Sequence, residues 1–276
     1  MFKENKAFWL YLLGIVLLFF LLFFGLRTYF NANGFIVGPI SLNPFVTVAP
    51  NQVTPTYHNT LPDVTASIGP TALTITPQSV LDKDYYAVVK TNQGDFTVEL
   101  FENNAPETVA NFISLSVKDY YDQVRFHRLI PNVLLQGGSR ATLDDDPAND
   151  KFGNPGYFIP DEINWSSLDF SDSQKQQLIQ AGYVSAVKIA SKGMDKYCLA
   201  MAGSAPNTGG SQFFIVLGDK TDPAILSLQG THTVFGEVIA NKELIDSFNK
   251  INSDINDDYR PLTDLFIVDI QIFSRK

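Results

Sequence analysis

Phe126-His127-Arg128-Leu129-Ile130-Pro131, running on through Val133-Leu134 to Leu135-Gln136-Gly137-Gly138, is the stretch whose reading decides the fold. Further along comes its companion, Met201-Ala202-Gly203-Ser204-Ala205-Pro206-Asn207-Thr208-Gly209-Gly210-Ser211-Gln212-Phe213-Phe214-Ile215. Together they carry a fixed cation (Arg128), the side-chain amides of Gln136 and Gln212, and several aromatic rings. That set suits holding a neutral peptide and pressing on one of its amides. It has no obvious nucleophile with a base, no metal cage and no phosphate loop. Taken singly, each residue is ordinary: an arginine in a loop is usually solvated, and paired glycines usually mark turns. Their order along one segment, closed by Thr231-His232-Thr233-Val234-Phe235-Gly236, is what carries information.

Around these motifs the chain reads as mainly β. Tyr86–Lys90 and Asp95–Leu100 read as two strands joined through Asn92-Gln93-Gly94, with Phe96, Val98 and Leu100 alternating against Thr97 and Glu99. Pro106 opens a helix with Asn104 as its expected cap, and Val109, Phe112, Ile113 and Val117 form its apolar stripe. A second stripe follows at Leu244, Ile245, Phe248 and Ile251, and Leu265–Phe273 alternates as a last strand. Ser171-Asp172-Ser173-Gln174 reads as a capping box before a short helix ending near Gly182. Many short strands with two main helices predict a closed β-barrel capped at its ends.

The two long motifs and the Thr-His-Thr-Val-Phe-Gly segment resemble those of the cyclophilins, the prolyl cis/trans isomerases. The resemblance implies a closed eight-stranded antiparallel β-barrel capped by two α-helices; the apolar N-terminal run, read below, places one transmembrane helix before it. It makes Arg128 the catalytic cation and Gln136 its partner. By the same resemblance Phe214 floors the proline pocket, and Phe126, Val133, Leu134, Ala202, Gly203, Gln212, Leu228 and His232 complete the substrate groove. His127 is a supporting residue. No cofactor and no metal are implied; the partners are proline-containing polypeptides. Relative to the common pattern, Val133-Leu134 replaces Phe-Met, Gly203 replaces an asparagine, and Ser227 stands where many members carry tryptophan. These changes predict slower turnover and weak cyclosporin binding, and they keep a second reading open: a proline-peptide binding module or chaperone scaffold with little catalysis. A structural stalk whose groove is closed by an inserted segment is a third. Compared with a compact cyclophilin, residues 163–183 read as that insertion.

Working outward, Ala7–Leu26 contains no charged residue. Twenty residues at 1.5 Å each span roughly the 30 Å of a bilayer core. The run exceeds a signal-peptide core, and Phe30-Asn31-Ala32 is a poor cleavage site, so residues 1–27 predict an uncleaved membrane anchor. Lys3 and Lys6 precede it, and after Arg27 no Lys or Arg occurs before Lys83. The charge bias predicts a cytoplasmic N-terminus and an extracytoplasmic domain at the cell membrane. Residues 28–82 hold seven of the 15 prolines and read as an extended linker. Residues 83–276 form the folded domain. Beyond residue 27 stand 17 basic and 28 acidic residues, a net of −11, which excludes nucleic acid as a natural partner. The single cysteine, Cys198, reads as core and permits no internal disulfide. Asp144-Asp145-Asp146 with Asn149 and Asp150 lacks the glycine and terminal glutamate of an EF-hand and reads as a solvated loop.

Overall fold

The computed structural model describes residues 76, 80–81, 83–144, 146–186 and 188–275. The expected anchor and nearly all of the expected linker lie outside the described residues. Among those described, no helix is long and apolar enough to cross a membrane. The ordered core begins before Lys83, since Val80 is already buried in it.

The opening hairpin forms as its alternation predicts: β1 is Asp84–Thr91 and β2 is Gly94–Leu100. Six more strands join them: β3 (Arg128–Ile130), β4 (Leu134–Gly137), β5 (Cys198–Met201), β6 (Phe213–Val216), β7 (Val234–Ala240) and, after a small separate hairpin, β10 (Ile267–Arg275). That hairpin pairs β8 (Ser253–Asp254) with β9 (Arg260–Pro261). The main sheet has the order β10-β1-β2-β7-β5-β6-β4-β3, antiparallel throughout. It is an antiparallel half-barrel. Its rims meet just before β3 and β10, where Arg125 bridges to Phe266 and the Phe126 amide donates to Leu265 O at 2.9 Å. The expected continuous closure does not extend along β3, because the Leu129 amide donates instead to Tyr259 O at 2.8 Å. The loop ahead of β9 thus occupies the edge that a closed ladder would use.

Period-two alternation sorts the short central strands between two apolar clusters. From β5 and β6, Leu199, Met201, Phe213 and Ile215 enter the main core with Phe96, Phe112, Phe235 and Phe248. Their neighbours Cys198, Ala200, Phe214 and Val216 face a second cluster with Leu134, Ile225 and Val234. Cys198 is therefore core, as expected, and burial pushes its thiol up to about 11.

Two helices seal the main core. In α1 (Pro106–Ser116) Val109, Phe112 and Ile113 are buried, and a later helix, Lys242–Phe248, contributes Ile245 and Phe248. The expected cap of α1 differs. Asn104 donates its side-chain amide to Ala190 O, and the helix N-cap, Ala105, has no side-chain bond. The role falls to Glu162, distant in sequence, whose carboxylate accepts from the Glu107 amide at 2.9 Å and from Thr108 N and Oγ1 at 2.8 and 2.7 Å. A carboxylate there meets both orphan amides and the positive helix end. Burial still pushes the Glu162 carboxyl above its ordinary range, those bonds opposing it. Glu162→Ala is expected to cost about 3 kcal/mol, because it strands buried donors. Glu162→Gln, which keeps an acceptor, should cost about half as much; urea unfolding of both variants checks the ratio.

Residues 163–183 contain α2 (Asp172–Gln180), closed at its start by the expected Ser171–Gln174 capping box. None of the α2 residues is buried. The segment is fastened by Trp165, whose indole donates to Gly230 O at 3.1 Å. Gly230, at φ +85°, leaves the space that Phe170 fills: an added Cβ would lie 2.6 Å from that ring.

Candidate active site

The sheet register assembles the site. Arg128 on β3 is paired with Gln136 on β4, Gln136 with Phe214 on β6, and Phe214 with Ala200 on β5. Directly opposed residues in antiparallel strands project from the same face. Cation, amide and aromatic floor therefore stand in one cross-strand row, although they come from motifs far apart in sequence. The row borders a groove of about 540 Å3 that also takes in Leu134, Ala202, Gly203, Gln212, Leu228 and His232. No residue of 163–183 lines it, so the inserted segment does not close the groove as the stalk reading requires.

The amides are locked. Gln136 Nε2 donates to Gln212 Oε1 at 2.9 Å, and Gln212 Nε2 donates to Lys151 O and Gly153 O at 2.9 and 2.8 Å. Phe214 is 2% exposed and meets His232 edge-on, ring centroids 5.3 Å apart. His232 Nδ1 lies 2.8 Å from Thr231 Oγ1. Burial lowers the His232 pKa, with contacts to the Leu228 and Gly203 backbones opposing. A neutral imidazole against an aromatic floor makes this end of the groove apolar, fit for a proline ring. Arg128 supplies the charge, its Nε 3.3 Å from Asp258 Oδ1.

Two expected groove residues stand elsewhere. Phe126 is 2% exposed in the main core, its ring 6.3 Å from Phe213 and close under Gly137. It points to the opposite face from the row and supports β4 from beneath. Val133 packs against the second apolar cluster and does not line the groove. His127 does line the groove, with its imidazole buried. Lys151, Phe152, Phe158 and Asp258 also line the groove and were not read from the sequence. Lys151 and Phe152 end a short 3-10 helix, Pro147–Phe152, and Phe158 and Asp258 lie in loops; none of these segments is long enough for a periodicity to mark a side chain's direction.

The cyclophilin type peptidyl-prolyl cis-trans isomerase/CLD family model matches residues 86–272, which include every residue of the row. The chain belongs to this family. Peptidyl-prolyl cis-trans isomerase A of Mycobacterium tuberculosis is 35% identical over 203 residues, 67% of this chain and 91% of that protein. Peptidyl-prolyl cis-trans isomerase-like 2 of Cryptococcus neoformans is also 35% identical, over 189 residues; the match spans 68% of this chain but only 27% of that relative. Among solved structures, a cyclophilin-type isomerase of Cryptosporidium parvum, crystallised in the presence of the dipeptide ala-pro, superposes with a TM-score of 0.51 at 27% identity. That superposition covers 69% of this chain and 99% of that one. The domain described here is a cyclophilin-type peptidyl-prolyl cis/trans isomerase. Among its described residues no cluster of His, Cys, Asp and Glu is arranged to hold a metal ion.

Proposed function

We propose that the protein is a membrane-anchored prolyl isomerase whose domain works outside the cytoplasm on exported polypeptides still folding near the membrane. The observation that carries the catalytic half is the single row of Arg128, Gln136 and Phe214 at the groove. Rotation about an X–Pro bond faces a barrier of about 18–20 kcal/mol, because the nitrogen lone pair is delocalised into the carbonyl. At the transition state the amide is twisted and its nitrogen becomes pyramidal and basic. A guanidinium beside that nitrogen stabilises the twisted form more than either planar one, and only such differential binding accelerates. Gln136, fixed by Gln212, holds the substrate carbonyl side. Phe214, Leu134, Leu228 and His232 take the proline ring, while Ala202, Gly203 and Gln212 border the adjoining backbone.

Three substitutions adjust this site. Val133 packs against the second apolar cluster and carries no ring, so the aromatic wall common in the family is absent. Gly203 offers backbone only. Ser227 bonds its hydroxyl to Ala224 O, giving no indole for a large cyclic ligand, and cyclosporin is expected to bind weakly. Substrate affinity drops more than chemistry does, since the reacting row is intact.

The cellular half rests on the apolar run Ala7–Leu26, its flanking lysines and the proline-rich stretch that follows. Full-length protein is expected to stay in membranes washed with alkaline carbonate. In cells opened only on the outer side of that membrane, added protease should degrade the domain. Release by carbonate removes the anchor reading; protection from protease reverses the orientation.

A further inference from the structure

The β8–β9 hairpin brings an acid to the reacting end of the groove. Asp258 and Tyr259, just before β9, are consecutive non-glycine residues in the left-handed region, at φ +47° and +60°. Such a pair costs roughly 1–2 kcal/mol per residue and persists only where neighbours enforce it. The neighbours here are specific. Tyr259 O accepts from the Leu129 amide at 2.8 Å, next to Arg128. Arg260 pairs with Asp150 at 2.8 Å and Asp257 at 2.7 Å, and donates to Pro147 O at 3.0 Å. Asp150 is 5% exposed, so this clamp is anchored in the body of the domain. The clamped turn sets Asp258 on the groove with Oδ1 3.3 Å from Arg128 Nε. The Nε–H does not lie along that line, and the buried Nε makes no hydrogen bond. The contact is charge pairing alone.

We propose that Asp258 is a positioning residue for the isomerisation: it restrains the Arg128 guanidinium at the groove and, as its counter-ion, sets the preference for charge next to the substrate's proline. An unpaired arginine keeps most of its rotamer freedom, which must be lost when the twisted amide is held. A carboxylate on its Nε side removes part of that freedom beforehand and leaves the terminal nitrogens for substrate. Its charge also offsets Arg128, so acidic side chains near the proline are not drawn in and basic ones are tolerated. The inference rests on Arg128 being the reacting cation.

The test uses full-length protein in detergent at low ionic strength, with three peptides carrying Glu, Ala or Lys immediately before Ala-Pro. Exchange is followed by NMR. Asp258→Asn is expected to lower kcat on the neutral peptide roughly threefold to tenfold with little change in KM. It should raise the Glu-to-Lys ratio of kcat/KM about tenfold. Asp258→Glu should restore most of both. Unchanged kcat overturns the proposal; so does a loss that the glutamate variant fails to restore, or one that leaves the Glu-to-Lys ratio unmoved. Asp258 is half exposed, so the asparagine variant should fold. Side-chain 15Nε relaxation of Arg128 in the wild-type and Asn proteins gives a second readout: equal order in both overturns the proposal. Should Arg128→Ala itself exchange normally, the reading of the site has failed; should Arg128→Ala be inactive while Asp258→Asn is normal, only the role of Asp258 has.

Discussion

Arg128→Ala is expected to lower kcat/KM for exchange of an Ala-Pro peptide roughly a hundredfold or more, by analogy with removing one preorganised donor from other active sites. That loss corresponds to about 3 kcal/mol of transition-state stabilisation. The effect belongs in kcat. In the planar ground state the amide nitrogen is not basic and has little to offer a guanidinium, so KM should stay within about twofold. Arg128→Lys separates charge from shape. It keeps a cation but loses the planar fork, and should recover less than a tenth of the activity. Fold is not at stake, because Arg128 is a third exposed and its β3 backbone bonds are independent of the side chain. The measurement is two-dimensional exchange NMR on the peptide at matched enzyme concentration. Undiminished exchange in the alanine variant would sink the assignment of the reacting row.

The second large effect is on stability against pH. His127 is 6% exposed, and neither ring nitrogen makes a hydrogen bond. Its pKa is lowered to about 4, chiefly by burial and also by the charges of Arg260 and Arg128, while a looser contact with the Arg125 backbone and the charge of Asp258 oppose. A histidine depressed in the folded state favours folding while both states are neutral, above the unfolded value of about 6.5. As pH falls below 6.5 the unfolded chain takes a proton that the folded one refuses. Stability is lost until pH reaches about 4, where the folded form is protonated too. Integrated over that window, the loss is about 3 kcal/mol. Glu102, Glu107, Asp161 and Glu162 have the opposite sign: burial raises each, so each adds stability as pH falls through its folded value. The contribution of His127 is therefore read as a difference. His127→Phe should match the wild type at pH 7, because no hydrogen bond is lost. It should exceed the wild type by about 2 kcal/mol at pH 5, in urea melts run side by side. Parallel pH profiles for the two proteins would refute it.

The parts of this domain legible in the sequence are those whose cause is local. Alternation placed the opening hairpin, apolar stripes placed the two sealing helices, and Ser171 with Gln174 announced α2. The site residues were legible by a different route, through resemblance of two motifs, and nine of the eleven expected positions line the groove. The two exceptions lie just outside the strands, Phe126 before β3 and Val133 before β4, where alternation does not set the direction of a side chain. Phe126 projects to the core face beneath Gly137, and Val133 packs against the second cluster, at positions where the sequence shows only apolar residues. Asn104 has the right chemistry for a cap at the right spacing, yet Glu162 does the work. The choice between them depends on a contact 55 positions away along the chain.

By itself, then, the sequence determined the class of domain, the cation and amides able to act on a prolyl bond, and the apolar run at the N-terminus. All of these depend on residue type and near-neighbour spacing. Tertiary structure decided which face each strand residue takes, that Arg128, Gln136 and Phe214 share one row, that Glu162 caps α1, and that Asp258 meets Arg128. Each of these is set by strand register or by a clamped loop. Register is fixed by burying one whole face of the sheet, and that condition belongs to the folded chain rather than to any segment of it.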